Sequence, residues 1–252
     1  YREQFQSLVD DGQHPTTLFI GCSDSRLVPY LLTGAGPGEL FLVRNVGAFV
    51  PPHDGSCGHH GTTAAIEYAV LSLEISRIIV CGHSHCGAIK ALYEDVPFEA
   101  QNLQRWLDLG RDAVLPVQPC PEALRRTEKR AVVLQLGRLM EFPMVRSRVM
   151  AGKISLHGWH YVIEDGEVHV FDVATGHFVA ASVATSQQPL RLVSSTWSYS
   201  SSVCSSSGRA CPPAAVMPSI RGILTSMHTT LGRNLRVSST ASSPLAASPT
   251  TS

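Results

Sequence analysis

Three short apolar runs recur in the first third of the chain: TTLFIGC over 16–22, ELFLVRNV over 39–46 and RIIVCGH over 77–83. Each is bounded by Gly, Pro or polar residues, the pattern of strands buried on both faces. Longer segments between and after them carry helical spacing: TTAAIEYAVLSLEI (62–75), GAIKALYE (87–94) and PEALRRTEKRAVVLQLGRLM (121–140). In the last of these, Leu124, Val132, Leu136 and Leu139 form an apolar side, while Arg125, Arg126, Glu128 and Lys129 are expected to keep another side in water. Thr62 and Thr63 suit the cap of the first helix, and Pro121 suits the first turn of the third. Alternation of strand and helix predicts an α/β fold with a mostly parallel central sheet flanked by helices. Further on, SLHGWHYVIEDGEVHVFDV (155–173) alternates on either side of Asp165-Gly166, a hairpin expected to add an antiparallel edge.

Composition divides the chain in two. Of 252 residues 44% are hydrophobic, enough for one large core, and no apolar run reaches the roughly 20 residues of a membrane span. The formal net charge of zero gives no argument for nucleic acid or an acidic membrane surface. That zero is made of unequal parts. All 20 acidic residues precede position 194, against 16 Lys plus Arg there, a net of −4. Residues 194–252 hold four Arg, no Lys and no acid, and are dominated by Ser, Thr, Pro and Ala. Such a composition offers little apolar surface to offset chain ordering. The expectation is a folded domain over 1–193 and a largely disordered tail over 194–252. Within that tail, IRGILTSMHTTLGRNL (220–235) has apolar residues near helical spacing and could fold on a partner, which nothing in it identifies.

The seven cysteines are an odd set scattered over a large chain, unlike the dense framework of a small secreted domain. A reducing, cytoplasmic setting is expected; the first residue is Tyr rather than Met, so a targeting segment upstream stays open. Two predicted strands end in metal-binding chemistry. The first stops at Cys22, within CSDSR, and the third runs into HSHCGA, where His83 and Cys86 are three residues apart in the turn before a helix. In parallel sheets ligands gather at the carboxyl ends of strands, so these donors can converge. Zinc suits a Cys, His, Cys set, and three protein ligands leave a fourth place open. His85 is the rival ligand to His83. Cys81 and Cys120 read as small buried hydrophobes. His53, Asp54, Cys57, His59 and His60 in HDGSCGHHG (53–61) offer a second donor group, but without a strand behind them they read as a flexible loop. Asp24, two residues past Cys22, could bind the metal or be held off it by Arg26, whose guanidinium can grip both carboxylate oxygens. In the second arrangement zinc holds a water whose pKa falls to about 7, and Asp24 orients the resulting hydroxide. A surface ion pair beside a closed zinc site is the alternative.

CSDSR at 22–26 followed by HSHCGA at 83–88, with GQHP before them and ELFLVRNVG between, resembles the β-class carbonic anhydrases over about residues 1–173. The resemblance implies zinc on Cys22, His83 and Cys86 and a catalytic dyad of Asp24 and Arg26. It implies reversible hydration of CO2 to bicarbonate and a proton through zinc-bound hydroxide. A substrate pocket is implied at Gln13, Phe41, Val46, Tyr68 and Gly87, with Gln13, Phe41 and Tyr68 supplied across a homodimer interface or a higher assembly of dimers.

Two features depart from the family pattern. A regulatory bicarbonate site of some members needs a Trp three residues before the first Cys; Phe19 stands there, although Gly21 and Tyr161 match other members of that set. An open site with Asp24 on Arg26 is therefore expected. The tail lies outside the pattern, although SHCGAIKAL is similar to carboxysomal relatives that carry extensions, which leaves a carboxysomal association open. The competing functions are hydrolysis of COS or CS2 with the same zinc set, and a non-catalytic zinc-stabilised scaffold.

Overall fold

A computed structural model describes residues 2–53 and 60–183. The tail from 194 onward, its 220–235 segment, and Asp54, Cys57 and His59 lie outside the described residues. In chain order the elements are α1 (Arg2–Asp11), β1 (Thr17–Cys22), α2 (Pro29–Thr33), β2 (Leu40–Asn45), α3 (Gly61–Leu71), β3 (Arg77–His83), α4 (Gly87–Ala91), α5 (Gln101–Leu107), α6 (Pro121–Leu139), α7 (Pro143–Met150), β4 (Ser155–Val162), β5 (Glu167–Asp172) and β6 (His177–Ala180). Short 3₁₀ turns follow β2 (Val46–Ala48) and α5 (Asp108–Ala113).

The strands form one six-stranded sheet in the order β2-β1-β3-β4-β5-β6. Pairs among β2, β1, β3 and β4 are parallel, and β5 and β6 add an antiparallel edge. This is the α/β fold that the alternating pattern predicts, extended by one further edge strand. Burial explains the pattern. All six residues of β1 are buried, as a central strand covered on both faces requires, whereas β4 alternates half-buried and buried positions. On one face Leu18, Ile20, Ile78 and Val80 pack with Val132 and Leu136 of α6 and Ile66 and Val70 of α3. On the other, Phe19 and Cys81 pack with Leu27 and Ile79.

Three local expectations are corrected. Thr62 does not cap α3; His60 stands at the cap, and Thr62 lies inside the helix with its Oγ1 accepting from Asn45 Nδ2 at 3.1 Å. Cys120 is no core residue but the N-cap of α6, half-buried, its Sγ accepting from the Ala123 N–H at 3.4 Å; Pro121 opens that helix as expected. Glu128 does not face water. It is buried, because the face of α6 that carries it lies against β3 and β4. No helix among the described residues is long and apolar enough to cross a membrane.

Candidate metal centre

β1 and β3 are neighbours in the sheet, so their carboxyl ends lie side by side, and each ends in a metal-binding side chain. The chain then turns after His83, passes through His85 in the left-handed region (φ 57°), and reaches Cys86 at the cap of α4. Ser84 fixes this turn from inside. Its N–H donates to the Tyr161 carbonyl at 2.8 Å, and its Oγ accepts from the Ile163 N–H at 2.8 Å and donates to Glu164 at 2.6 Å. As a result Cys22, His83 and Cys86 bring their donor atoms within 4.8 Å of one another, all buried. The two sulfurs are 4.0 Å apart.

The donors suit a metal ion. The His83 Nδ1 lies 2.8 Å from its neighbour's carbonyl, Ser84 O, which fixes the tautomer with the proton on Nδ1. Nε2 then carries a lone pair, is buried and has no hydrogen-bond partner, the state of an imidazole turned toward an ion. The Cys22 thiol is pushed down to about 4, chiefly by its hydrogen bond with Cys86, against an opposing effect of burial. Cys86 moves up for the same reason, since the pair shares a proton, and burial adds to it. The Gly47 N–H also donates to Cys22 Sγ at 3.4 Å. By contrast burial, with the charge of Cys22 adding to it, pushes the Cys81 thiol up, in keeping with an inert core cysteine. His85 stays outside the donor group, exposed, with Nε2 3.4 Å from Glu164. His53 sits edge-on to the Phe142 ring, centroids 5.0 Å apart.

Beside the donors, Asp24 is gripped by Arg26 on both oxygens: Nε donates to Oδ1 at 2.9 Å and Nη2 to Oδ2 at 2.7 Å, with the Arg26 backbone N–H adding a third bond at 3.0 Å. The guanidinium, helped by that N–H, holds the Asp24 carboxyl well below the usual range, so it is ionised at neutral pH. Asp24 Oδ2 remains 3.9 Å from His83 Nε2. Arg26 is itself steadied by the His85 carbonyl at 3.0 Å.

Other residues that sequence reasoning assigned no role serve this centre. Arg44 donates to the carbonyls of Cys22 (3.1 Å) and Asp24 (2.7 Å), pinning the C-x-D backbone; a single Arg inside an apolar strand was the available signal. The Trp106 indole N–H holds the Val46 carbonyl at 2.7 Å, and Glu128 accepts from the Cys86 N–H at 3.4 Å. Phe19 is fully buried, edge-on to Trp159 with ring centroids 6.3 Å apart.

The five pocket residues divide. Gly87 is exposed at the first position of α4, next to Cys86, and Val46 opens the turn whose Gly47 touches Cys22. Phe41 and Tyr68 instead stack on each other, ring centroids 5.8 Å apart. Phe41 lies four residues, roughly 13 Å of strand, before Asn45, the register partner of Cys22. Gln13 is exposed in the loop between α1 and β1. Within the single chain these three are not gathered with the donors.

Residues 17–168 match the family model described as carbonic anhydrase. A carbonic anhydrase of a Synechocystis species is 41% identical over 197 residues, 71% of this chain and 68% of that protein. Carbonic anhydrase 1 of Escherichia coli O157:H7 is 42% identical over 199 residues, 75% of this chain and 90% of that one. Among solved structures, the β-carbonic anhydrase CcaA superposes with a TM-score of 0.67 at 40% identity, covering 71% of this chain and 90% of its own. A structure from the study of two tetrameric β-carbonic anhydrases of Sordaria macrospora matches with a TM-score of 0.59 at 30% identity, covering 67% and 86%. With the sheet, the Cys, His, Cys group and the matched span in agreement, the chain belongs to the β-carbonic anhydrase family of enzymes.

Proposed function

We propose that the protein catalyses the reversible hydration of CO2 to bicarbonate and a proton, with zinc held by Cys22, His83 and Cys86. The observation that carries this reading is a group of three buried donors, one of them an unpartnered imidazole nitrogen, beside a carboxylate locked by a guanidinium. Zinc at these donors supplies a Lewis acid that lowers the pKa of water to about 7.

Asp24, ionised and accepting only, orients an attacking O–H by its hydrogen and leaves the oxygen lone pair free for carbon. Because Arg26 occupies both oxygens, Asp24 stays off the metal, and we take this open arrangement as the resting one. Gln13, Phe41, Val46, Tyr68 and Gly87 line the proposed CO2 pocket, the first two and Tyr68 arriving from the second protomer of a homodimer. Their separation from the donors within one chain and the tetrameric Sordaria relatives support that arrangement. Two metal-binding thiols call for a reducing compartment, and we propose the cytoplasm. The catalytic domain is taken as residues 1–193.

Stopped-flow CO2 hydration on zinc-loaded full-length protein tests the reading. The rate is expected to rise with pH and to fall by about 10²-fold or more in Asp24→Asn, at unchanged zinc content. Turnover of COS without CO2 hydration would move the assignment to the hydrolase, and absence of both at full zinc occupancy would leave a scaffold.

A further inference from the structure

We propose that Glu128 is a positioning residue of the metal centre, holding the Cys86 peptide so that its sulfur stays in place for the ion. The inference rests on the metal reading above and adds to it a residue on a different element, α6. Glu128 is 3% exposed, and its Oε1 accepts from the Cys86 N–H at 3.4 Å, a long bond strengthened by the carboxylate charge. That N–H belongs to the cap residue of α4, which has no side-chain cap of its own. The other oxygen is clamped from two sides: His160 Nε2 of β4 lies at 3.0 Å and Arg125 Nε, less than one turn earlier in α6, at 3.3 Å.

Arg125 then reaches further. Its Nη2 contacts Glu164 Oε1 at 2.5 Å, and the other oxygen of Glu164 takes the Ser84 hydroxyl at 2.6 Å. The turn between His83 and Cys86 is thus gripped at Ser84 by one carboxylate and at Cys86 by another, with a single guanidinium joining the two. Stability alone does not ask for this arrangement. Burying a carboxylate costs several kcal/mol, and a well-packed hydrophobe in such a place is often as stable or more so. What a hydrophobe cannot supply is an acceptor for the Cys86 N–H, and partners one bond removed from a ligand commonly govern metal affinity by 10–100-fold.

Zinc affinity of the full-length chain, read by competition with a chromophoric chelator, tests this without using activity, and the visible spectrum of the Co2+-loaded protein reports the geometry at sulfur. Glu128→Met keeps nearly the same volume but leaves the Cys86 N–H without its acceptor. It is expected to bind zinc about 10–100-fold more weakly and to shift the thiolate-to-Co2+ band. Leu139→Ala, at the far end of the same helix, is expected to lower stability while leaving zinc affinity within about twofold of the parent, which separates positioning from general loss of packing. Parent-like affinity together with a superimposable Co2+ spectrum in Glu128→Met would overturn the proposal. If that variant does not fold, Arg125→Met, at a partly exposed position, decides. A several-fold loss of zinc affinity supports the proposal, and parent-like binding overturns it. A parent chain that takes up no zinc would instead bring down the metal reading itself, and this inference with it.

Discussion

On the function proposed above, Arg26 is the residue on which the state of the centre turns, because among the described residues it alone bonds both oxygens of Asp24. In Arg26→Ala the carboxylate is released at a point where its Oδ2 is already 3.9 Å from His83 Nε2. Asp24 should then move onto the metal. The expected result is zinc bound as tightly as in the parent or more so, an added oxygen neighbour at zinc by X-ray absorption, and a loss of hydration activity of about 10²-fold. An unchanged metal spectrum with activity retained would show that Arg26 does not set the resting state. Cys22, Asp24, Arg26, His83 and Cys86 were legible in the sequence because each lies within four residues of a strand end whose position the apolar runs give. Glu128 was not. A charged residue on an amphipathic helix reads as solvated, and only the packing of α6 on β3 and β4 brings His160 and Cys86 to it.

Among the elements, the turn after β2 carries a tight local constraint beside the metal donors. Gly47 has φ 85°, and a Cβ there would sit 2.7 Å from the Phe49 ring. Its N–H is also the one that reaches Cys22 Sγ. Gly47→Ala therefore combines backbone strain with overpacking, and is expected to cost about 2–4 kcal/mol in chemical denaturation and to weaken zinc binding as the N–H moves away. The parallel strands were found to within about a residue, since runs buried on both faces contrast sharply with their flanks. α1 was missed for the opposite reason: REQFQSLVDD is mostly polar, and none of its residues is buried in the single chain. The helix in GAIKALYE stops three residues before the segment does, and the one in TTAAIEYAVLSLEI starts one residue earlier and stops four residues earlier, because of turns that propensity does not mark; Glu74, for example, takes φ 52°. β6 is four residues long and pairs only with β5, too short to stand out.

For the whole molecule, half-buried His157 and buried His160 contribute to the response to acid. Burial, with Arg77 adding to it, lowers the pKa of His157, and burial outweighs Glu128 in lowering that of His160. Above about pH 6.5 both folded and unfolded chains hold these rings neutral, and stability is fully present. As pH falls below that value the unfolded chain takes up protons that the folded one refuses, so stability declines. Thermal unfolding midpoints should fall between pH 7 and pH 5, and His157→Asn, remote from the metal donors, should flatten part of that slope. Assembly is the second property at this scale. Tyr68 is 48% exposed on α3 and stacks on Phe41, yet Phe41 lies well back along β2 from the residue paired with Cys22. If these rings complete the pocket of a neighbouring protomer, a lone 27.2 kDa chain can hold the ion but not surround the substrate. Tyr68→Asp places a charge in that apolar contact, where an unpaired carboxylate costs several kcal/mol to bury. Sedimentation velocity should show the variant at the mass of one chain and the parent at a multiple of it. Zinc content should match the parent, because Cys22, His83 and Cys86 all belong to one protomer, while CO2 hydration should drop with the loss of assembly. A monomeric variant that kept full activity would show that each chain builds its pocket alone.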